Sequence, residues 1–134
     1  MLTGLAVRCS EDKYREFIEN YPKRLIQYFE IQAKLKSNKI KFELLNKEFN
    51  INCESVIRYT LSNMTIYYDS VKKAYFIEIS TTGKFLGLPI LTYIRWITLG
   101  NRSVKGCNIV EQTLRWGQYD LPIQLKKEVQ KNVN

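Results

Sequence analysis

Leu45-Asn46-Lys47-Glu48-Phe49-Asn50-Ile51-Asn52-Cys53-Glu54-Ser55-Val56-Ile57-Arg58-Tyr59-Thr60-Leu61 is the stretch whose reading decides the fold. Ile40, Leu44, Leu45 and Phe49 recur at helical spacing ahead of its centre. Val56, Tyr59 and then Leu61 or Asn63 recur after it, so two short helices are expected, each burying one stripe. Asn50 between them belongs to the few residue types that tolerate a left-handed backbone, which a sharp turn after a helix requires. Apolar Ile51 follows, and Asn52 is a good N-cap, so the second helix is expected to start near Cys53.

Downstream, Thr65-Ile66-Tyr67-Tyr68 and Ala74-Tyr75-Phe76-Ile77-Glu78-Ile79 are rich in β-branched and aromatic residues. Asp69-Ser70-Val71-Lys72-Lys73 between them reads as a turn, which makes a hairpin with a basic tip.

Helix, turn, helix and hairpin in this order, over about residues 39–79, resemble the winged helix-turn-helix of DNA-binding domains. The residues that carry the likeness are the Glu48-Phe49 pair, a turn residue, an apolar residue, a small polar cap and a helix with Val56 and Tyr59 facing inward. Asn50 stands where that superfamily usually has Gly, Ile51 where it has Val or Ile, and Asn52 where Ser is common. The pattern departs at Asn46, where a small apolar residue normally lets the helices approach, and at Cys53 and Glu54, which are not typical base readers. The resemblance implies an α+β, mainly α fold: a winged helix-turn-helix with a two-stranded hairpin wing. Its second helix would enter the major groove and its hairpin would reach the adjacent backbone of double-stranded DNA.

A chain of 134 residues, 45% hydrophobic, suits one domain or a small domain with an extension. The net charge of +8 suits a polyanionic partner without implying sequence specificity. Residues 1–80 hold 13 Lys and Arg against 10 Asp and Glu, whereas residues 81–134 hold 8 against 3, so the shorter part carries most of the excess. No apolar run approaches the roughly 18 residues of a membrane span. Met1-Leu2-Thr3-Gly4-Leu5-Ala6-Val7 lacks the basic region of a signal peptide, and a cytoplasmic protein with no membrane partner is expected. Cys9, Cys53 and Cys107 are widely spaced and His is absent, so structural thiols are expected, with no metal site, disulfide framework or cofactor.

Residues 1–80 are expected to form the winged domain with its N-terminal helices. Residues 1–9 read as a strand or a packed arm, and Ser10, with Glu11 and Asp12 behind it, caps a helix with Tyr14, Phe17 and Ile18 on its apolar face. Pro22 predicts a break at Asn20-Tyr21 and a restart, with Leu25, Ile26, Phe29, Ala33 and Leu35 as a buried stripe to about Lys36. Ser37-Asn38 reads as a turn and Lys39-Ile40-Lys41 as the short strand that winged helices place before the helix-turn-helix. Residues 81–134 are expected to form a basic helical extension packed on this domain or on a dimer partner. Its helices would start at Pro89 and stop at Gly100-Asn101, run from an Asn108 cap to about Gly117, and restart at Leu121-Pro122.

The candidate DNA contacts are Asn52, Ser55, Arg58 and Ser62 along the second helix, Lys72 and Lys73 at the hairpin tip, and Arg102 and Lys105 in a Gly-containing loop before a helix start. Arg pairs bidentately with guanine, Ser and Asn contact bases or phosphate, and lysines suit phosphates. Glu54 repels phosphate, and the bland alternatives are a solvated face on which Arg58 pairs with Glu54, a charged hairpin tip and an ordinary inter-helix loop. Tyr14, Tyr28, Tyr59, Tyr67 and Trp96 fall at core-compatible positions rather than in a stacking platform. Without an imidazole base or a close acid pair, the chain is not expected to be an enzyme. The sequence therefore predicts a sequence-specific double-stranded DNA-binding protein, a transcriptional regulator or a plasmid or virus replication factor, working as a homodimer. The alternative is a winged-helix protein-interaction module, a subunit of an assembly or an inhibitor from a mobile element.

Overall fold

Three asparagines set the turn at the centre of the chain. In the computed structural model, which describes residues 4–7, 14–72, 74–79 and 83–133, helix α2 (Lys36–Phe49) ends at Asn50. That residue is left-handed, with φ 53° and ψ 54°, and its N–H returns to the Asn46 carbonyl. Asn52 caps helix α3 (Cys53–Ser62), its Oδ1 accepting from the Ser55 N–H at 3.0 Å. Both features are as the sequence predicts. Asn46, which departs from the helix-turn-helix pattern, supplies the third contact: its Oδ1 accepts the Cys53 N–H at 2.8 Å. A side chain of α2 thus satisfies one of the four donors that the start of α3 leaves unpaired.

The buried stripe of α2 differs from the expected one. Asn38, Phe42 and Leu45 face inward, while Ile40 and Leu44 are about half exposed. The Phe42 ring meets Phe29 of helix α1 (Tyr14–Ala33), centroids 6.5 Å apart, and a helix that turns this ring inward turns positions 40 and 44 outward. Residues 37–41 are accordingly helical, not a turn and strand. Asn38 is buried with its amide donating to the Gln32 carbonyl at 2.8 Å, which fixes the α1–α2 corner.

Helix α1 runs through Pro22 without the expected break and ends at Ala33, leaving Leu35 about half exposed. An interior proline costs roughly 3 kcal/mol. Tyr21, Leu25, Phe29 and Ala33 form one buried stripe across it, and full burial of each large side chain is worth about 1.5–3 kcal/mol, so the continuous helix wins. Helix α5 (Ile109–Val133) likewise passes through Gly117 and Pro122, where two helices were expected. A Cβ on Gly117 would lie 2.7 Å from Leu25 Cδ1 and from the Tyr21 hydroxyl, so the glycine lets α5 lie flat on α1. Leu114, Leu121 and Leu125 carry the contact along.

Strands β2 (Met64–Asp69) and β3 (Ala74–Ile79) form the expected hairpin, in register from Met64 opposite Ile79 to Asp69 opposite Ala74. Strand β1 (Gly4–Val7) adds to the far side of β3, giving an antiparallel sheet of order β1-β3-β2. A third strand is present, but it comes from the start of the chain instead of residues 39–41. A two-residue hairpin, β4 (Lys84–Phe85) and β5 (Leu88–Pro89), then turns through Leu86 and Gly87 at positive φ into helix α4 (Ile90–Leu99), which stops at Gly100 as expected. The stretch 8–13, with the Ser10 cap, and the loop 80–82 lie outside the described residues.

The result is a mainly helical α+β fold with one apolar core. Tyr21, Leu25 and Phe29 of α1, Phe42 and Leu45 of α2, and Val56, Ile57 and Leu61 of α3 share it with Ile97 of α4 and Ile109, Leu114 and Leu121 of α5. Helix α3 packs against α1, α2 and α4, which leaves one of its faces to solvent.

Candidate nucleic-acid interface

Helix α3 buries Cys53, Val56, Ile57, Thr60 and Leu61. Asn52, Ser55, Arg58, Tyr59 and Ser62 lie on the opposite side, all exposed. The expected inward position of Tyr59 is therefore corrected: Ile57 completes the inner stripe beside Val56. The Tyr59 ring lies on Phe85 of β4 with centroids 4.8 Å apart. Tyr67 is also exposed, stacked on Phe76 of β3.

Polar atoms along this stripe are partly committed to the fold. Asn52 spends its Oδ1 on the Ser55 N–H, and the Cys53 N–H goes to Asn46, so the start of α3 offers few free amides to an anion. The Ser62 hydroxyl donates to the Arg58 carbonyl at 2.7 Å. Arg58 itself is held from α1: its Nε donates to Glu30 Oε1 at 3.2 Å, while Nη2 stands 3.8 Å from Glu54 Oε2. Sequence anticipates the Glu54 pair at i, i+4. Glu30, 28 residues away, has no local signal and emerges only from the packing of α1 on α3.

At the hairpin tip, Asp69 Oδ1 accepts the N–H groups of Val71 and Lys72 at 2.9 and 3.1 Å, which shapes the turn. The Lys72 ammonium sits 5.4 Å from the centroid of Phe76, within cation–π range, and remains exposed. Lys73 lies outside the described residues.

The loop carrying Arg102 and Lys105 is built on Asn101. Its Oδ1 accepts the N–H groups of Ser103 and Val104 at 2.8 and 2.9 Å, and its amide donates to Glu48 of α2 at 2.8 Å. Gly106 presses so closely on the Thr98 carbonyl that a Cβ would not fit. The Ser103 and Val104 amides are turned inward, so a phosphate clamp here would rest on the exposed Arg102 and Lys105 side chains. The structure thus places Asn52, Ser55, Arg58 and Ser62 on one face of α3, Lys72 on the hairpin that follows, and Arg102 and Lys105 on a separate loop braced against α2.

Burial pushes the Cys53 thiol up to about 12, with the nearby Cys107 adding to the effect, so neither a nucleophile nor a metal ligand is favoured there. Cys107 donates weakly to Asn38 Oδ1 at 3.6 Å. Among the described residues no cluster of three or more His, Cys, Asp or Glu side chains could hold a metal ion. Between α1 and α5 an open groove of about 340 Å³ is lined by Tyr28, Gln112, Arg115, Trp116 and Tyr119. Its Tyr28 and Trp116 rings stack in parallel, 4.3 Å apart. No helix among the described residues is long and apolar enough to cross a membrane. No protein family, curated protein or solved structure matches this chain.

Proposed function

We propose that this protein binds double-stranded DNA sequence-specifically as a winged helix-turn-helix, in the role of a transcriptional regulator or a plasmid or virus replication factor, and as a homodimer. The observation that carries the reading is the outer stripe of α3. Asn52, Ser55, Arg58, Tyr59 and Ser62 recur there at one-turn spacing, every one of them bears a hydrogen-bonding group, and the β2–β3 hairpin follows directly. Side chains of this kind on a helix that fits the major groove distinguish base pairs by their donor and acceptor patterns. Lys72 would bind backbone phosphate beside it, and the excess of cations over acids would supply the non-specific attraction. A dimer reads two half-sites where one small module reads few base pairs.

The test is retention of random and genomic double-stranded DNA fragments across a salt series. A preferred fragment with salt-sensitive affinity is expected for the wild type, with loss of retention in the Arg58→Ala, Lys72→Ala double variant. Absence of binding even at low salt would overturn the reading.

A second reading, a protein-interaction module, is favoured by Ile40 and Leu44, which sit half exposed on the outer side of α2. On that reading the double variant retains its protein partner in a pull-down and the wild type ignores DNA.

A further inference from the structure

We propose that Glu30 is a positioning residue that aims Arg58 at a guanine, an inference that rests on the DNA-binding reading. Helix α1 touches α3 at this point, so a carboxylate far away in sequence is brought to the reading face. Its Oε1 accepts the Arg58 Nε–H at 3.2 Å.

A guanidinium has five N–H donors in a rigid fork. It can meet a two-acceptor edge side-on, through Nε and one Nη, or end-on, through both Nη groups. Glu30 occupies Nε, which closes the side-on mode and leaves the end-on pair. Glu54 stands 3.8 Å from Nη2, beyond hydrogen-bond length, so it attracts that nitrogen without taking its donors. Both pairs are solvent-exposed, at 49% for Arg58 and 38% and 43% for the acids, so Arg58 is held in direction and still accessible to a ligand. The end-on pair matches the O6 and N7 acceptors of guanine in the major groove, whereas a lysine ammonium offers a point charge without that fork.

Charge gives the inference a signature of its own. Glu30 and Glu54 together outweigh the single cation between them, so this part of the stripe adds little general attraction for phosphate. A glutamate that merely repels DNA would, when removed, strengthen binding to every sequence by the same factor. A glutamate that positions Arg58 would, when removed, lower the ratio of specific to non-specific affinity.

The experiment selects preferred sites from a random double-stranded DNA library with the full chain. Competition binding to the selected site and to random DNA is then measured for wild type, Arg58→Ala, Arg58→Lys, Glu30→Ala and Glu30→Gln, with thermal melting to confirm folding. Arg58→Ala and Arg58→Lys are expected to lose the preference for one guanine. Glu30→Ala is expected to lower the specificity ratio about tenfold, within the range of one bidentate contact, while binding to random DNA holds or strengthens. Glu30→Gln keeps the acceptor oxygen and is expected to restore most of the ratio. A Glu30→Ala protein that gains equally on all sequences overturns the positioning role and leaves the DNA reading standing. A selected site with no Arg58-dependent guanine does the same, whereas a wild type that binds no DNA at low salt overturns both.

Discussion

Replacing Asn46 by Ala puts at this position the small apolar residue that the helix-turn-helix pattern favours, so pattern and structure predict opposite signs. On the pattern alone the change should be neutral or stabilising. In the structure Asn46 Oδ1 accepts the Cys53 N–H at 2.8 Å, and that donor sits at the start of α3 on a residue with no exposed surface. Leaving a buried donor unsatisfied costs about 1–3 kcal/mol. Alanine recovers up to about 0.7 kcal/mol of helix propensity relative to an ordinary residue. With the full propensity gain the net expectation is destabilisation by about 0.3–2.3 kcal/mol. For 134 residues the unfolding entropy is about 0.28 kcal/mol/K, so the melting midpoint should fall by about 1–8 °C. Asn46→Asp keeps the acceptor, and its charge is favourable at the start of α3 but unfavourable in the last turn of α2, so the two effects oppose and the protein should stay near wild type. Thermal and urea unfolding of the three proteins measure this directly. An Asn46→Ala protein as stable as wild type, or an Asn46→Asp protein equally weakened, would refute the bridging role.

Gly117→Ala gains about 1 kcal/mol of helix propensity. It also places a Cβ 2.7 Å from two fully buried side chains, Leu25 and Tyr21, where overpacking costs about 1–3 kcal/mol. Urea unfolding should therefore show net destabilisation of up to about 2 kcal/mol, and a clear stabilisation would mean that α5 does not lie on α1 as described. Alkaline pH should weaken the fold through Cys53. Its thiol is raised from 9.0 to about 12 by burial, so the unfolded chain releases this proton first. The contribution is intact below pH 9 and is lost between about pH 9 and 12, at a slope of up to about 1.4 kcal/mol per pH unit. Tyr21, also pushed up by burial, adds to the fall above pH 10. Denaturation curves at pH 8, 9 and 10 should be flatter in pH for Cys53→Ala than for wild type, and parallel slopes would remove Cys53 as a cause.

The turn was legible in the sequence because it depends on single-residue chemistry. An Asn that accepts αL and an Asn that caps need no distant partner, and both Asn50 and Asn52 behave as expected. Helix phase was harder. The stripes 40-44-45-49 and 38-42-45-49 share Leu45 and Phe49, and periodicity alone does not choose between them. The choice is made by Phe29 on another helix, which takes the Phe42 ring. Pro22, Gly117 and Pro122 are local breaking signals overridden by the packing of α1 along α5, where Gly117 meets Tyr21 and Leu25 and Trp116 stacks on Tyr28. The candidate DNA stripe was legible as a set of residues, but Glu30 was not, because nothing near Arg58 in sequence points to it.

How the start of α3 is satisfied constrains how DNA would be held. Many helix N-termini bind phosphate with free backbone amides, but here Asn46 and Asn52 have taken those of Cys53 and Ser55. In the loop after α4, Asn101 has done the same to Ser103 and Val104. Backbone anion sites are thus spent on folding at both places, and phosphate contacts fall to side chains. With B-DNA releasing about 0.9 counterions per contact, Lys72 and Lys73 on phosphates, with Arg58 on a base, would give a salt slope of about −2 per protomer. Arg102 and Lys105 together would raise it to about −4. The slope measured for the wild type, against that of an Arg102→Ala, Lys105→Ala protein, decides which surface the duplex follows. Equal slopes would confine DNA to α3 and the β2–β3 hairpin, and a difference of about 2 per protomer would extend the contact to the loop braced on Glu48.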